Sequence, residues 1–122
     1  MKRVLFLAVI AIVLSVPVLA MAGGPFDGAY SAVATSSNGQ FLDYVVVLQN
    51  GAQIILTILY PDIGSWFYGV GTLNGNTVSG TLFEPNNTSF GTFNVTLGAN
   101  GSLSGTLTDI GLTVNLNGSR IF

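Results

Sequence analysis

Beyond an apolar N-terminal run, apolar and polar residues alternate with a period of two, as in Val78 to Leu82 (VSGTL), Leu103 to Leu107 (LSGTL) and Leu112 to Leu116 (LTVNL). Successive side chains of a strand point to opposite faces, so this alternation predicts half-buried β-strands; no stretch repeats near the 3.6-residue helical period. Valine, isoleucine, threonine and aromatic residues fill the runs, and Gly, Asn, Asp and Pro break them at short spacing. That is the pattern of strands joined by hairpins. Eight strands are expected, at about 28–36, 40–48, 52–60, 65–72, 76–84, 89–98, 102–108 and 111–118.

Four of the expected turns contain an Asn-Gly pair: Asn38-Gly39, Asn50-Gly51, Asn74-Gly75 and Asn100-Gly101. Such a pair forms either the centre of a two-residue turn or the end of a three-residue loop whose glycine takes the left-handed position of a bulge. The two differ by one residue of register, and a one-residue slip turns a whole strand over. Three-residue loops match apolar with apolar, pairing Ala34 with Leu42, Val46 with Ile54, Val70 with Val78 and Leu97 with Leu103. They predict positive φ at Gly39, Gly51, Gly75 and Gly101. They also predict an inward set of Tyr30, Leu42, Tyr44, Val46, Leu48, Ile54, Leu56, Ile58, Tyr60, Trp66, Tyr68, Val70, Val78, Leu82, Phe93, Val95, Leu97, Leu103, Leu107, Leu112, Val114 and Leu116. Residues 70–82 also align with 95–107, a repeated hairpin.

The expected fold is therefore all-β: an eight-stranded antiparallel up-and-down meander closing into a small barrel, which removes the exposed edges of an open sheet. In size, strand number and meander order the chain resembles the calycin-type barrels, lipocalin-like or avidin-like. The resemblance lies at the level of fold. The tryptophan-rich biotin pocket of avidins has no counterpart around the lone Trp66, and Gly28-Ala29-Tyr30 is the nearest approach to a lipocalin G-x-W opening, so no family site residue transfers. What the resemblance implies is a barrel that binds a small ligand.

The start of the chain changes the setting. Lys2 and Arg3 precede a long apolar run ending near Pro17, with small residues at Ala20 and Ala22, the layout of a secretory signal peptide. A retained membrane anchor is the competing reading, because the run approaches the length of a bilayer span. Cleavage after Ala22 is expected, leaving one domain over residues 23–122 in a secreted or periplasmic protein.

Charge and reactive groups narrow the function. The 122-residue chain contains no cysteine and no histidine. Its domain carries one basic residue, Arg120, against Asp27, Asp43, Asp62, Glu84 and Asp109. Without a basic patch to neutralise phosphates, nucleic acid is not expected as a partner. Cys-His, Ser-His-Asp and Schiff-base chemistry lack their residues, and the carboxylates are scattered, so an enzyme is not expected. No cofactor and no metal are expected. Asp62, Glu84 and Asp109 fall at turns of one barrel end, with Asp43 near the start of its strand, and that end is expected to carry an acidic rim, more simply a solvated surface than a calcium site. Asp27 and Arg120 fall at the other end, placed for an ion pair.

Two residue groups stand out as candidates. Tyr30, Tyr44, Tyr60, Trp66 and Tyr68 gather on the inward face of the first four strands, which suggests a pocket for an apolar or amphipathic small molecule. Val45, Val47, Ile55 and Phe67 fall on the face that is polar elsewhere, which suggests an association patch and a homo-oligomer. The expected function is an exported binding barrel for such a small hydrophobic ligand. The alternatives are a structural or self-associating extracellular protein, or a small outer-membrane barrel; short turns, short strands and a nearly chargeless interior weigh against membrane insertion.

Overall fold

The computed structural model describes residues 24–122. The leader expected over residues 1–22 and its cleavage point lie outside them. Eight antiparallel strands follow in chain order: β1 (Gly28–Ser36), β2 (Gly39–Asn50), β3 (Gln53–Tyr60), β4 (Ser65–Asn74), β5 (Thr77–Phe83), β6 (Ser89–Leu97), β7 (Ser102–Asp109) and β8 (Leu112–Arg120). Each pairs with its sequence neighbours, and β8 pairs with β1 to close the barrel. Closure gives every strand two partners, so neither terminal strand is left as an edge.

All four Asn-Gly glycines have positive φ, at 116° for Gly39, 61° for Gly51, 66° for Gly75 and 87° for Gly101. Only the last belongs to the expected three-residue loop. There the Gly98 N–H donates to the Ser102 carbonyl, the Gly101 N–H donates to the Gly98 carbonyl, and Leu97 pairs with Leu103. The other three are two-residue turns: Ser36 pairs with Gly39 around Ser37-Asn38, Asn50 with Gln53 around Gly51-Ala52, and Asn74 with Thr77 around Gly75-Asn76. At Gly51 and Gly75 the glycine opens the turn and Asn ends the strand before it. A first central residue at positive φ is what a type II′ hairpin requires of glycine.

These shorter turns slip the register by odd numbers of residues. Ala34 pairs with Phe41 in place of Leu42, Val46 with Thr57 in place of Ile54, and Val70 with Thr81 in place of Val78. An odd slip inverts a strand. β2 therefore points Asp43, Val45 and Val47 inward, and β4 points Phe67, Gly69, Gly71 and Leu73 inward, while the other six strands keep their expected faces. Leu42, Tyr44, Val46 and Leu48 of β2, and Trp66, Tyr68 and Val70 of β4, leave the expected inward set.

Both inversions have a physical reason. β2 is apolar on both faces, so alternation discriminates weakly there and turn geometry decides. On β4 the glycine face is inside because Phe93 fills the space above it. A Cβ on Gly69 would stand 2.6 Å from the Phe93 ring, and one on Gly71 would stand 2.8 Å from its tip. Gly71, Gly80 and Phe93 lie in one hydrogen-bonding row across β4, β5 and β6. The ring of Phe93 thus covers a strip of bare backbone, as large side chains do for strand glycines. Around it pack the fully buried Tyr30, Ile54, Leu56, Ile58, Leu82, Leu97 and Leu103. Outside, β5 to β8 present Ser, Thr and Asn, with Phe83 at the end of β5 the exception.

The two barrel ends differ. At the Arg120 end, residues 24–27 form a plug bonded to β1, β2 and β8, from which Phe26 packs against the core. The Arg120 guanidinium donates to the Pro25 carbonyl at 2.7 Å and to the Tyr30 hydroxyl at 3.0 Å, and that hydroxyl donates to the Phe26 carbonyl. Asp27 accepts instead from the backbone N–H groups of Gly24 and Gln49. The expected Asp27–Arg120 ion pair is thus replaced by two separate sets of hydrogen bonds, both fastening the same plug. The opposite end, at the turns holding Asp62, Glu84 and Asp109, has no such segment among the described residues.

Candidate functional site

The barrel wall divides the expected aromatic pocket. Tyr30 and Tyr60 face the interior, whereas Tyr44, Trp66 and Tyr68 face outward on the inverted strands. Tyr30 is fully buried at the plugged end and engaged by Arg120, whose guanidinium lies 5.4 Å from its ring centroid. Tyr60 stands at the open end. Outside, Trp66, Tyr68 and Phe83 form a ladder with ring centroids 6.3 and 5.3 Å apart, and Tyr68 bonds Asn87 at 2.6 Å.

The expected association patch divides as well. Val45, Val47 and Phe67 point into the barrel, with both valines fully buried, and Ile55 alone of the four faces outward. The outer wall of β2 to β4 is nonetheless apolar, built from Tyr44, Val46, Leu48, Ile55, Leu59 and Trp66. Val46 and Leu59 are buried although they point away from the interior. The exposed members of this wall are Leu42, near the Asp62 end, and Ile55, which is paired with half-buried Leu48.

At the open end the inversion of β4 assembles a different aromatic set. Phe67 on β4 is brought against Tyr60 of β3, ring centroids 5.4 Å apart. The third member comes from an irregularity. β5 pairs Leu82 with Gly91 and Phe83 with Ser89, so Phe90 is an extra residue in β6. A bulge re-aims the side chain of its extra residue, and Phe90 packs on the core edge-on to Phe67 at 5.3 Å. Tyr60, Phe67 and Phe90 are all half-buried. They form a tier of rings just inside the open end, beside a recess of about 130 Å³ lined by Phe41, Leu42, Tyr60, Asp62 and Ile63.

Asp43 lies within this end. It follows Phe41 by two residues on the inward face of β2, opposite Ala32 of β1, and lies close enough to Tyr60 of β3 for its charge to act on that hydroxyl. It is fully buried, and neither carboxylate oxygen has a hydrogen-bond partner. Burial pushes its pKa up to about 7. Burial also raises the Tyr60 hydroxyl, and the charge of Asp43 adds to that shift. An unpaired carboxylate in an apolar wall is costly unless it is neutral or partnered. Among the described residues no three His, Cys, Asp or Glu side chains converge as metal ligands.

Three members of this end were missed by alternation. Phe67 fell to the wrong face with its strand, Phe90 needed the bulge, and Asp43 read as part of an acidic rim. One signal was present: Asp43 is the single charge in the apolar run from Phe41 to Leu48.

No protein-family model matches the chain, and no curated protein matches it.

Proposed function

We propose that the chain is an exported small β-barrel that binds an apolar or amphipathic small molecule at its Asp62 end. The observation that carries this reading is the tier of half-buried rings, Tyr60, Phe67 and Phe90, standing beside an open recess while the opposite end is plugged. Binding sites are concave, mostly apolar and furnished with few polar groups. Here Phe41, Leu42, Ile63 and the Tyr60 ring supply the apolar lining, Phe67 and Phe90 stack in turn behind the Tyr60 ring, and the buried Asp43 carboxylate, close to Tyr60, is the polar group the recess leads toward. The leader-like N-terminus supports export. The Ser, Thr and Asn outer face of β5 to β8 weighs against the outer-membrane alternative, since a lipid-facing wall is an apolar band. Fluorescence of the neutral probe N-phenyl-1-naphthylamine, titrated with the purified domain, tests the reading. Saturable one-to-one uptake, weakened several-fold by Ile63→Ser, is expected; a linear, unsaturable response would remove the binding function.

A second reading, a self-associating extracellular protein, is favoured by one observation: the apolar outer wall of β2 to β4, with Ile55 exposed on it. It concerns a different surface and can hold together with the first.

A further inference from the structure

The ligand's polar head is set by what the open end lacks. We propose that the ligand carries a protonated amine with at least one N–H, which enters the Asp62 end and donates to Asp43 while the rings of Tyr60 and Phe67 flank the ammonium. This inference rests on the binding function proposed above and names its ligand class. Asp43 is fully buried with both oxygens unpartnered, and buried polar groups in folded proteins almost always have partners. A carboxylate accepts and does not donate, so its missing partner is a donor. Among the described residues none supplies a cationic one, since Arg120 is the sole basic side chain and is committed to Pro25 and Tyr30 at the far end.

Two further features select a cation over a neutral donor. Aromatic faces attract ammonium groups electrostatically, and the ring of Tyr60 is shared between the recess and the neighbourhood of Asp43. The turns around the same opening carry Asp62, Glu84 and Asp109, whose field favours approach of cations and disfavours that of carboxylates. Asp43 stands opposite Ala32 of β1, and the titratable group its charge acts on is Tyr60 of β3. Neither neutralises the carboxylate. A bound ammonium does, and because it requires the ionised form, binding weakens as Asp43 takes up a proton.

The test compares three probes with one apolar body: hexylamine, hexanol and hexanoate, titrated calorimetrically into the domain at pH 8. Hexylamine is expected to bind at least tenfold more tightly than hexanol, with hexanoate weakest. Its affinity falls at pH 5, whereas that of hexanol does not. Asp43→Asn should bring hexylamine down to the level of hexanol and abolish the pH dependence. If Asp43→Asn fails to fold, Tyr60→Leu at the mouth should narrow the amine preference several-fold. Asp62→Asn, on the exposed rim, should lower hexylamine affinity only modestly and in a salt-dependent way. Equal affinity for the three probes would overturn the amine inference and leave the binding function standing. An amine preference that survives both Asp43→Asn and Tyr60→Leu but disappears in Asp62→Asn would move the recognition to the rim and overturn the role of Asp43. Binding of none of the three, with no uptake of the naphthylamine probe, would remove both readings.

Discussion

Phe67 and Phe90 meet edge-on inside the open end of the barrel, ring centroids 5.3 Å apart and planes at 84°. One ring arrives by inversion of β4 and the other by a bulge in β6, so the contact reports on two independent features of the backbone. A double-mutant cycle between Phe67→Leu and Phe90→Leu is expected to show coupling of about 0.5–1.5 kcal/mol in urea unfolding. Additive losses would mean that the bulge does not hold Phe90 against Phe67.

The buried carboxylate predicts an unusual pH profile of stability. The Asp43 pKa rises from 3.8 to about 7 on folding, through burial. Between those values the native state holds a proton that the unfolded chain has released, so unfolding free energy falls as pH rises. This contribution is fully present below about pH 4 and lost by about pH 7, and its upper bound is on the order of 4 kcal/mol. Asp43→Asn is expected to flatten the slope and to raise the urea midpoint at pH 8. A wild-type midpoint that does not fall between pH 4 and pH 7 would contradict the burial of this group.

The glycine strip under Phe93 predicts a compensating pair. Gly69→Ala places a methyl group 2.6 Å from the Phe93 ring, an overpacking expected to cost about 1–3 kcal/mol. Phe93→Leu alone loses buried surface. Together they should cost less than the sum of the separate changes, because the smaller side chain makes room for the methyl. Thermal unfolding of the four proteins checks this.

At the turns the penalty is purely conformational. Gly51 and Gly75 have φ of 61° and 66°, and a Cβ at either would meet nothing within 4 Å. Alanine at each is expected to cost about 1–2 kcal/mol, and asparagine, which tolerates the left-handed region better, less. Equal stability of the Ala and Asn variants by denaturant titration would argue against the left-handed turn.

For the outer wall, the expected outcome concerns assembly. If the exposed Ile55 and its paired neighbour Leu48 join two barrels, Leu48→Lys with Ile55→Lys should shift sedimentation from oligomer to monomer without altering far-ultraviolet circular dichroism. A wild-type protein that sediments as a monomer at millimolar concentration would remove the self-associating reading.

The sequence by itself determined the class of fold. Period-two alternation and closely spaced turn residues specify eight antiparallel strands, and the need to pair both terminal strands specifies closure. The positive φ of the four turn glycines was legible too, although three of them adopt it at two-residue turns in place of the expected three-residue loops. The last four strands, with apolar residues on one face and Ser, Thr and Asn on the other, revealed their facing directly. For β2 and β4 only the tertiary structure decided. The run from Phe41 to Leu48 is apolar on both faces, and the run from Trp66 to Leu73 offers aromatic rings on one face and glycines on the other, so local hydrophobicity points the rings inward. The closed barrel has room for only so many. Phe93, coming from β6, occupies the centre, and Gly69 and Gly71 must face it, which sends Trp66 and Tyr68 outside and brings Phe67 in. Inverting β2 likewise carries Asp43 into the wall beside Tyr60. The candidate site was therefore hidden because its members are selected by the shared volume of a closed interior, a quantity that no single strand's pattern contains.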